Sequence, residues 1–124
     1  MALFPLFIEL SGRRVLIVGG GRLALHKAKM LSPYGAELTA VAPEFCTELE
    51  AIEGLTLTRR AFEPGDVEGA EIVIAATDER DVNHAVSALC RERGIPVNVV
   101  DELAECSFVF PALLRRGALS AGGT

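Results

Sequence analysis

The sequence predicts an α/β fold built on a doubly wound parallel sheet, and three observations predict it. A β-branched apolar run, Arg14-Val15-Leu16-Ile17-Val18, stops at Gly19-Gly20-Gly21, and a helical pattern begins at once. Strand and helix signals then alternate along the chain with little between them. The later run over residues 70–77 is apolar at nearly every position, as in a strand covered on both faces by helices.

Each element has its own local reason. Residues 23–32 read as a helix, closed by Pro33 and by Gly35 as a C-terminal signal. Residues 37–41 form the second strand, stopped by Pro43, with a short helix expected across 46–52. Leu55-Thr56-Leu57-Thr58 alternates as a third strand, and Pro64-Gly65-Asp66 marks a loop. After the fourth strand, Asp78 is placed to cap a helix over 79–93. There Val82, Ala85, Val86 and Leu89 form an apolar stripe, and Gly94 closes it. Residues 95–100 make the fifth strand, with Asp101 at its carboxyl end. Residues 107–114 and 118–121 flank Arg115-Arg116-Gly117 and read as a hairpin. The result is a Rossmann-like, doubly wound parallel sheet with right-handed crossovers and a C-terminal β-hairpin extension.

Composition narrows the classes of function. The 124 residues suit one core, with 50% hydrophobic and 23% charged residues. A net charge of -5 argues against nucleic acid, because binding phosphates needs a basic surface. No stretch is long and apolar enough to span a bilayer. The opening residues 1–10 lack a basic n-region and a cleavage site. They read as an N-terminal strand rather than a signal peptide, which makes a soluble cytoplasmic protein the expectation. Cys46, Cys90 and Cys106 are widely spaced and odd in number, which fits neither a disulfide framework nor a metal site. They are expected to pack as small apolar residues. His26 and His84 both fall on predicted helices outside any ligand motif. The basic pairs Arg59-Arg60 and Arg115-Arg116 read as solvated surface.

The glycine triplet carries the chemistry. Gly19 allows the tight turn, Gly21 lets the backbone approach a pyrophosphate, and Ala24 takes the small position where helix meets strand. The helix beyond it would present free N–H groups and a positive dipole end to the anion. On a doubly wound sheet the ligand lies beyond the carboxyl ends of the strands, so residues 19–23, 42–44 and 76–78 converge on one crevice. After the second strand stands Ala42-Pro43-Glu44, with no basic residue before Arg59. An acid there suits the ribose 2′-OH of NAD, where an arginine would suit a 2′-phosphate. Glu44 has a second reading, as a cap for the short helix that follows. Ala75 and Ala76 leave room for the nicotinamide half, whereas Thr77 and Asp78 divide between cofactor contact and helix capping. Asp101 closes an apolar strand near the expected nicotinamide. It could take a proton while hydride leaves for NAD, or it could simply form a turn.

These segments together resemble one family. Phe4-Pro5-Leu6-Phe7, Gly12-Arg13, the Val18-Gly19-Gly20-Gly21 turn, Lys27, Gly35-Ala36, Val41-Ala42-Pro43, residues 74–78, Val82-Asn83, residues 98–101, Phe108, Pro111-Ala112 and Arg116-Gly117 stand in its order and spacing. The family is the precorrin-2 dehydrogenase domain of siroheme synthases. The resemblance extends over essentially the whole chain. It implies NAD-dependent oxidation of precorrin-2 to sirohydrochlorin, with ferrous iron insertion in some members. It implies cofactor contacts at Gly19, Gly20, Gly21, Arg22 and Leu23, at Pro43 and Glu44, and at Ala76, Thr77 and Asp78. Asp101 matches the family's essential aspartate, and a homodimer is implied as well.

The chain departs from the family pattern at His26, where an arginine is usual, and at Leu103, where a proline is usual. It ends at Ala121-Gly122-Gly123-Thr124, inside a small-residue motif that in the family leads into a helical region serving dimerisation and the tetrapyrrole pocket. The expected organisation is therefore an NAD-binding domain over 1–105, then the hairpin start of a dimerisation region over 106–124, cut short. Two other classes compete with a dehydrogenase acting on a tetrapyrrole. One is a regulatory module that binds NAD without turnover. The other is a methyltransferase using the glycine loop for S-adenosylmethionine, which the pyrophosphate-type turn disfavours.

Overall fold

The computed structural model describes residues 2–110. Five parallel strands form one sheet in the order β3-β2-β1-β4-β5. They are β1 (Arg14–Val18), β2 (Glu37–Ala42), β3 (Leu55–Arg59), β4 (Ile72–Ala75) and β5 (Val97–Val99). Three helices cross between them: α1 (Arg22–Leu31), α2 (Thr47–Glu50) and α3 (Arg80–Arg93). The strand order reverses between β1 and β4, the switch point at which such sheets bind ligands.

Strand alternation divides the core into two layers. Val15 and Ile17 of β1 face α1, whose Ala24, Leu25, Ala28 and Leu31 are buried one turn apart along a single stripe. Leu16 and Val18 face the opposite way, toward Val86 and Cys90 of α3 and Val97 and Val99 of β5. A strand covered on both sides needs apolar residues at every position, which is why β1 and β4 read as unbroken runs. The crossovers land in register, Val18 beside Val41 on one side and beside Ala75 on the other. All three glycine-side loops therefore leave the sheet at one level.

Several boundaries differ from the sequence reading. Residues 2–10 form no strand, and Phe4 and Phe7 are each 88% exposed. Both neighbours of β1 are already taken by β2 and β4, so the segment has no open edge there and only Leu10 reaches the core. Pro64–Val67 winds into a 3-10 turn rather than an open loop, with Glu63 and Asp66 bonding reciprocally across its start. Asp78 does not cap α3. Its N-cap is Glu79, whose side chain makes no capping bond, whereas Gly94 ends the helix in the left-handed conformation as expected.

The outer edge of β5 is closed by side chains. Ser107 donates its N–H to Val97 O at 2.8 Å and accepts from Val97 N at 2.9 Å, and Val99 N bonds Cys106 Sγ. Buried Asn98 reaches over to Phe108 O at 3.1 Å. The expected hairpin lies, beyond residue 110, outside the described residues, and 107–110 approach it without strand structure.

Candidate dinucleotide site

The glycine turn is the hinge of the site, and its three glycines have different duties. Gly19 has φ 143, and a Cβ there would lie 2.3 Å from Ala76 O. At Gly20 a Cβ would lie 1.9 Å from Glu44 O, and Gly20 O accepts from Cys46 N at 2.8 Å. These two glycines thus clamp the β4 and β2 loops directly onto the turn. Gly21 is different, since a Cβ there would meet nothing within 4 Å. It is the N-cap of α1, in extended conformation, with no side-chain cap and no acidic residue in the first turn. The opening N–H groups of a helix lack intrahelical partners, so this turn presents donors and a positive dipole end to whatever sits over Gly21. The arrangement fits a pyrophosphate. Arg22 and Leu23 open the helix and are exposed beside it.

The second loop runs Pro43-Glu44-Phe45, with Pro43 and Glu44 exposed. Glu44 does not cap α2, whose N-cap is Cys46, so the competing role for its carboxylate is removed. Phe45 is half-buried against the α1 layer and carries the Arg59 guanidinium 5.4 Å from its ring centroid. Arg59 is the register partner of Ala42, and it pairs with Glu50. The sequence reading placed no cation near this loop, because Arg59 is remote along the chain. Its signal lay in the parallel pairing of β2 with β3, which brings the two strand ends side by side.

In the third loop Ala75 and Ala76 are buried and Asp78 is exposed. Thr77 is held by Asn83. Its hydroxyl donates to Asn83 Oδ1 at 2.7 Å, its N–H bonds the same atom, and Asn83 Nδ2 returns a bond to Thr77 O. The Thr77 hydroxyl also accepts from Glu79 N at 3.1 Å, so Thr77 takes the cap-like role expected of Asp78. Asn83 is buried and sets the loop's shape.

Asp101 follows β5 with φ 64, the one non-glycine positive φ among the described residues. Aspartate tolerates this conformation better than most residues, and such backbone outliers gather at functional sites. Its carboxylate is exposed. The next turn, Leu103–Glu105, is fastened to α3: Arg80 pairs with Glu102, and Glu105 binds both His84 Nδ1 at 2.8 Å and Arg91 at 3.0 Å. Ser87 Oγ donates to Glu105 O at 2.6 Å. The His84 bond holds the Glu105 carboxyl below the usual glutamate range. These contacts border a cleft of about 350 Å³ lined by Arg80, Asn83, His84, Val99, Glu102 and Glu105.

Lys27, on α1, reaches toward this end of the sheet, with its ammonium 4.6 Å from the Phe110 ring centroid. Burial pushes its pKa down, and the nearby Asp101 carboxylate opposes the shift. The cysteines remain free thiols. Burial raises the Cys90 thiol to about 11 and also raises Cys106, whose thiol donates to Val99 O.

The family model described as putative NAD(P)-binding matches residues 6–112. The siroheme synthase of Ectopseudomonas mendocina is 46% identical over 99% of this chain, which spans 28% of that relative's length. The siroheme synthase of Thioalkalivibrio sulfidiphilus is 44% identical over the whole chain, which spans 27% of it. Among solved structures, SirC, a precorrin-2 dehydrogenase, superposes with TM-score 0.73 and 26% identity, over 87% of this chain and 54% of that one. The D-lactate dehydrogenase of Escherichia coli, at 13% identity and TM-score 0.61, shares the fold alone. With the strand order, the glycine turn and a family match over most of its length, the chain belongs to the putative NAD(P)-binding family.

Proposed function

We propose that this chain is the NAD-binding module of a precorrin-2 dehydrogenase, oxidising precorrin-2 to sirohydrochlorin with NAD. The observation that carries the reading is the pairing of an open Gly21 at the α1 N-terminus with Asp101 at the end of β5. The likeness to SirC and to siroheme synthases supplies the substrate class.

NAD, when bound, supplies the hydride acceptor. The rest falls to the chain's own residues. Gly21 and the first-turn amides of α1 hold the pyrophosphate, with Gly19 and Gly20 keeping the neighbouring loops against the turn. Glu44 takes the adenosine ribose, and Ala76 leaves space for the nicotinamide above the end of β4. Thr77 shapes that loop through Asn83. Oxidation removes a hydride and a proton from the substrate, and Asp101 receives the proton.

Residues 1–105 act as the dinucleotide-binding unit, and 106–124 begin the region through which two copies associate. The exposed Phe4, Leu6 and Phe7 support a homodimer, since apolar groups clustered in this way mark interaction surfaces. Light scattering is expected to give a mass near twice that of the chain, and a concentration-independent monomer would remove the dimer. The activity itself is tested by mixing the protein with precorrin-2 and NAD. Appearance of sirohydrochlorin in step with NADH is expected. NAD binding without oxidation would favour a regulatory module instead.

A further inference from the structure

The dinucleotide site contains a cation that the strand register delivers to its adenosine end. Gly20 touches the Glu44 peptide, Glu44 adjoins Phe45, and the Arg59 guanidinium lies over the Phe45 ring. Arg59 closes β3 directly beside Ala42, the last residue of β2. On a doubly wound sheet the adenosine ribose lies just beyond the end of the second strand, and an arginine nearby accommodates a 2′-phosphate. By position alone Arg59 would invite NADP. Its charge is already engaged, however, because Glu50 at the end of α2 pairs with it while Phe45 supports its flat face.

We infer that Glu50 is the residue that sets cofactor choice, by holding Arg59 against Phe45 and cancelling the charge a 2′-phosphate would need. Arg59 is about half exposed, as is Glu50, so neither is buried for the sake of the core. The pair is a latch at the edge of the ribose subsite. It acts on the 2′ position of the cofactor and on nothing the two dinucleotides share. Glu44, exposed in the loop after β2, adds an acid at this end of the site, and an acid there favours a 2′-hydroxyl.

This inference rests on the reading that the glycine turn holds a dinucleotide, and the experiment separates the two. NAD and NADP are titrated calorimetrically into the 124-residue chain, into Glu50→Gln, and into Glu50→Gln combined with Arg59→Gln. Thermal melts confirm that each variant is folded. The unmodified chain should prefer NAD. Glu50→Gln should raise the ratio of NADP to NAD affinity about fivefold, the upper range for one exposed ion pair. The double variant should return the ratio toward that of the unmodified chain. An unchanged ratio in Glu50→Gln would overturn the inference and leave the dinucleotide site standing. A raised ratio that persists without Arg59 would also overturn it, since the gain would then come from removing a negative charge alone. Equal binding of both cofactors by the unmodified chain would remove the latch. Binding of neither would overturn the dinucleotide reading together with it.

Discussion

At the scale of single residues, the glycine triplet separates two kinds of requirement that look identical in sequence. Gly20 has no room for a side chain, because Glu44 O occupies the place where its Cβ would go. That neighbour is backbone and cannot rotate away. Gly21 has open space, so the fold itself does not exclude a side chain there, and in the proposed site that space belongs to the pyrophosphate. Gly21→Val is expected to fold with native circular dichroism and to lose NAD binding. Gly20→Ala is expected to lower the urea midpoint, at a cost within the about 1–3 kcal/mol typical of overpacking. If Gly21→Val bound NAD as the parent does, the pyrophosphate would not lie over that position. Motif spacing picks out Gly19 as the tight-turn glycine, which its φ of 143 bears out. It did not separate the duty of Gly20, which depends on a carbonyl more than twenty residues away.

At the scale of elements, the chain's alternation was legible because each strand is short, apolar and followed by turn chemistry. The parallel sheet and the Gly94 stop follow from that pattern, whereas the buried face of α3 is Asn83, Val86, Ser87 and Cys90, so of the expected stripe only Val86 is fully buried and Ala85 is exposed. What failed were features decided by partners in space. The apolar opening segment looked like a strand but has no edge to join, and Asp78 looked like a cap until Thr77 and Asn83 closed that loop between them. The turn after Asp101 is another such case, held to α3 by the Glu105 carboxylate. Its folded pKa is depressed, so its contribution is complete above the unfolded value of about 4.3 and is lost as pH falls through the folded value. The stability advantage of the parent over Glu105→Gln, read from urea midpoints, should therefore be present at neutral pH and vanish once the pH has fallen below the depressed folded value. A difference constant over that range would show that the carboxylate charge has no part in docking the turn.

At the scale of the whole molecule, one end of the sheet gathers everything the proposed chemistry uses. Parallel strands in the order β3-β2-β1-β4-β5 bring the Gly21 turn, Glu44, Ala76 and Asp101 to their carboxyl ends, although Gly21 and Asp101 are 80 positions apart in the chain. The fold therefore suits the proposed dinucleotide at the switch point and sets a carboxylate just beyond β5. In the proposed reaction this carboxylate serves the chemistry and not the cofactor. The most direct test compares Asp101→Ala with the parent, measuring NAD affinity by calorimetry and the conversion of precorrin-2 to sirohydrochlorin by absorbance. NAD affinity is expected within about threefold of the parent and the rate reduced by about 10²–10⁴-fold, as for loss of a general base. Unchanged turnover, or a loss confined to NAD affinity, would contradict that role for Asp101.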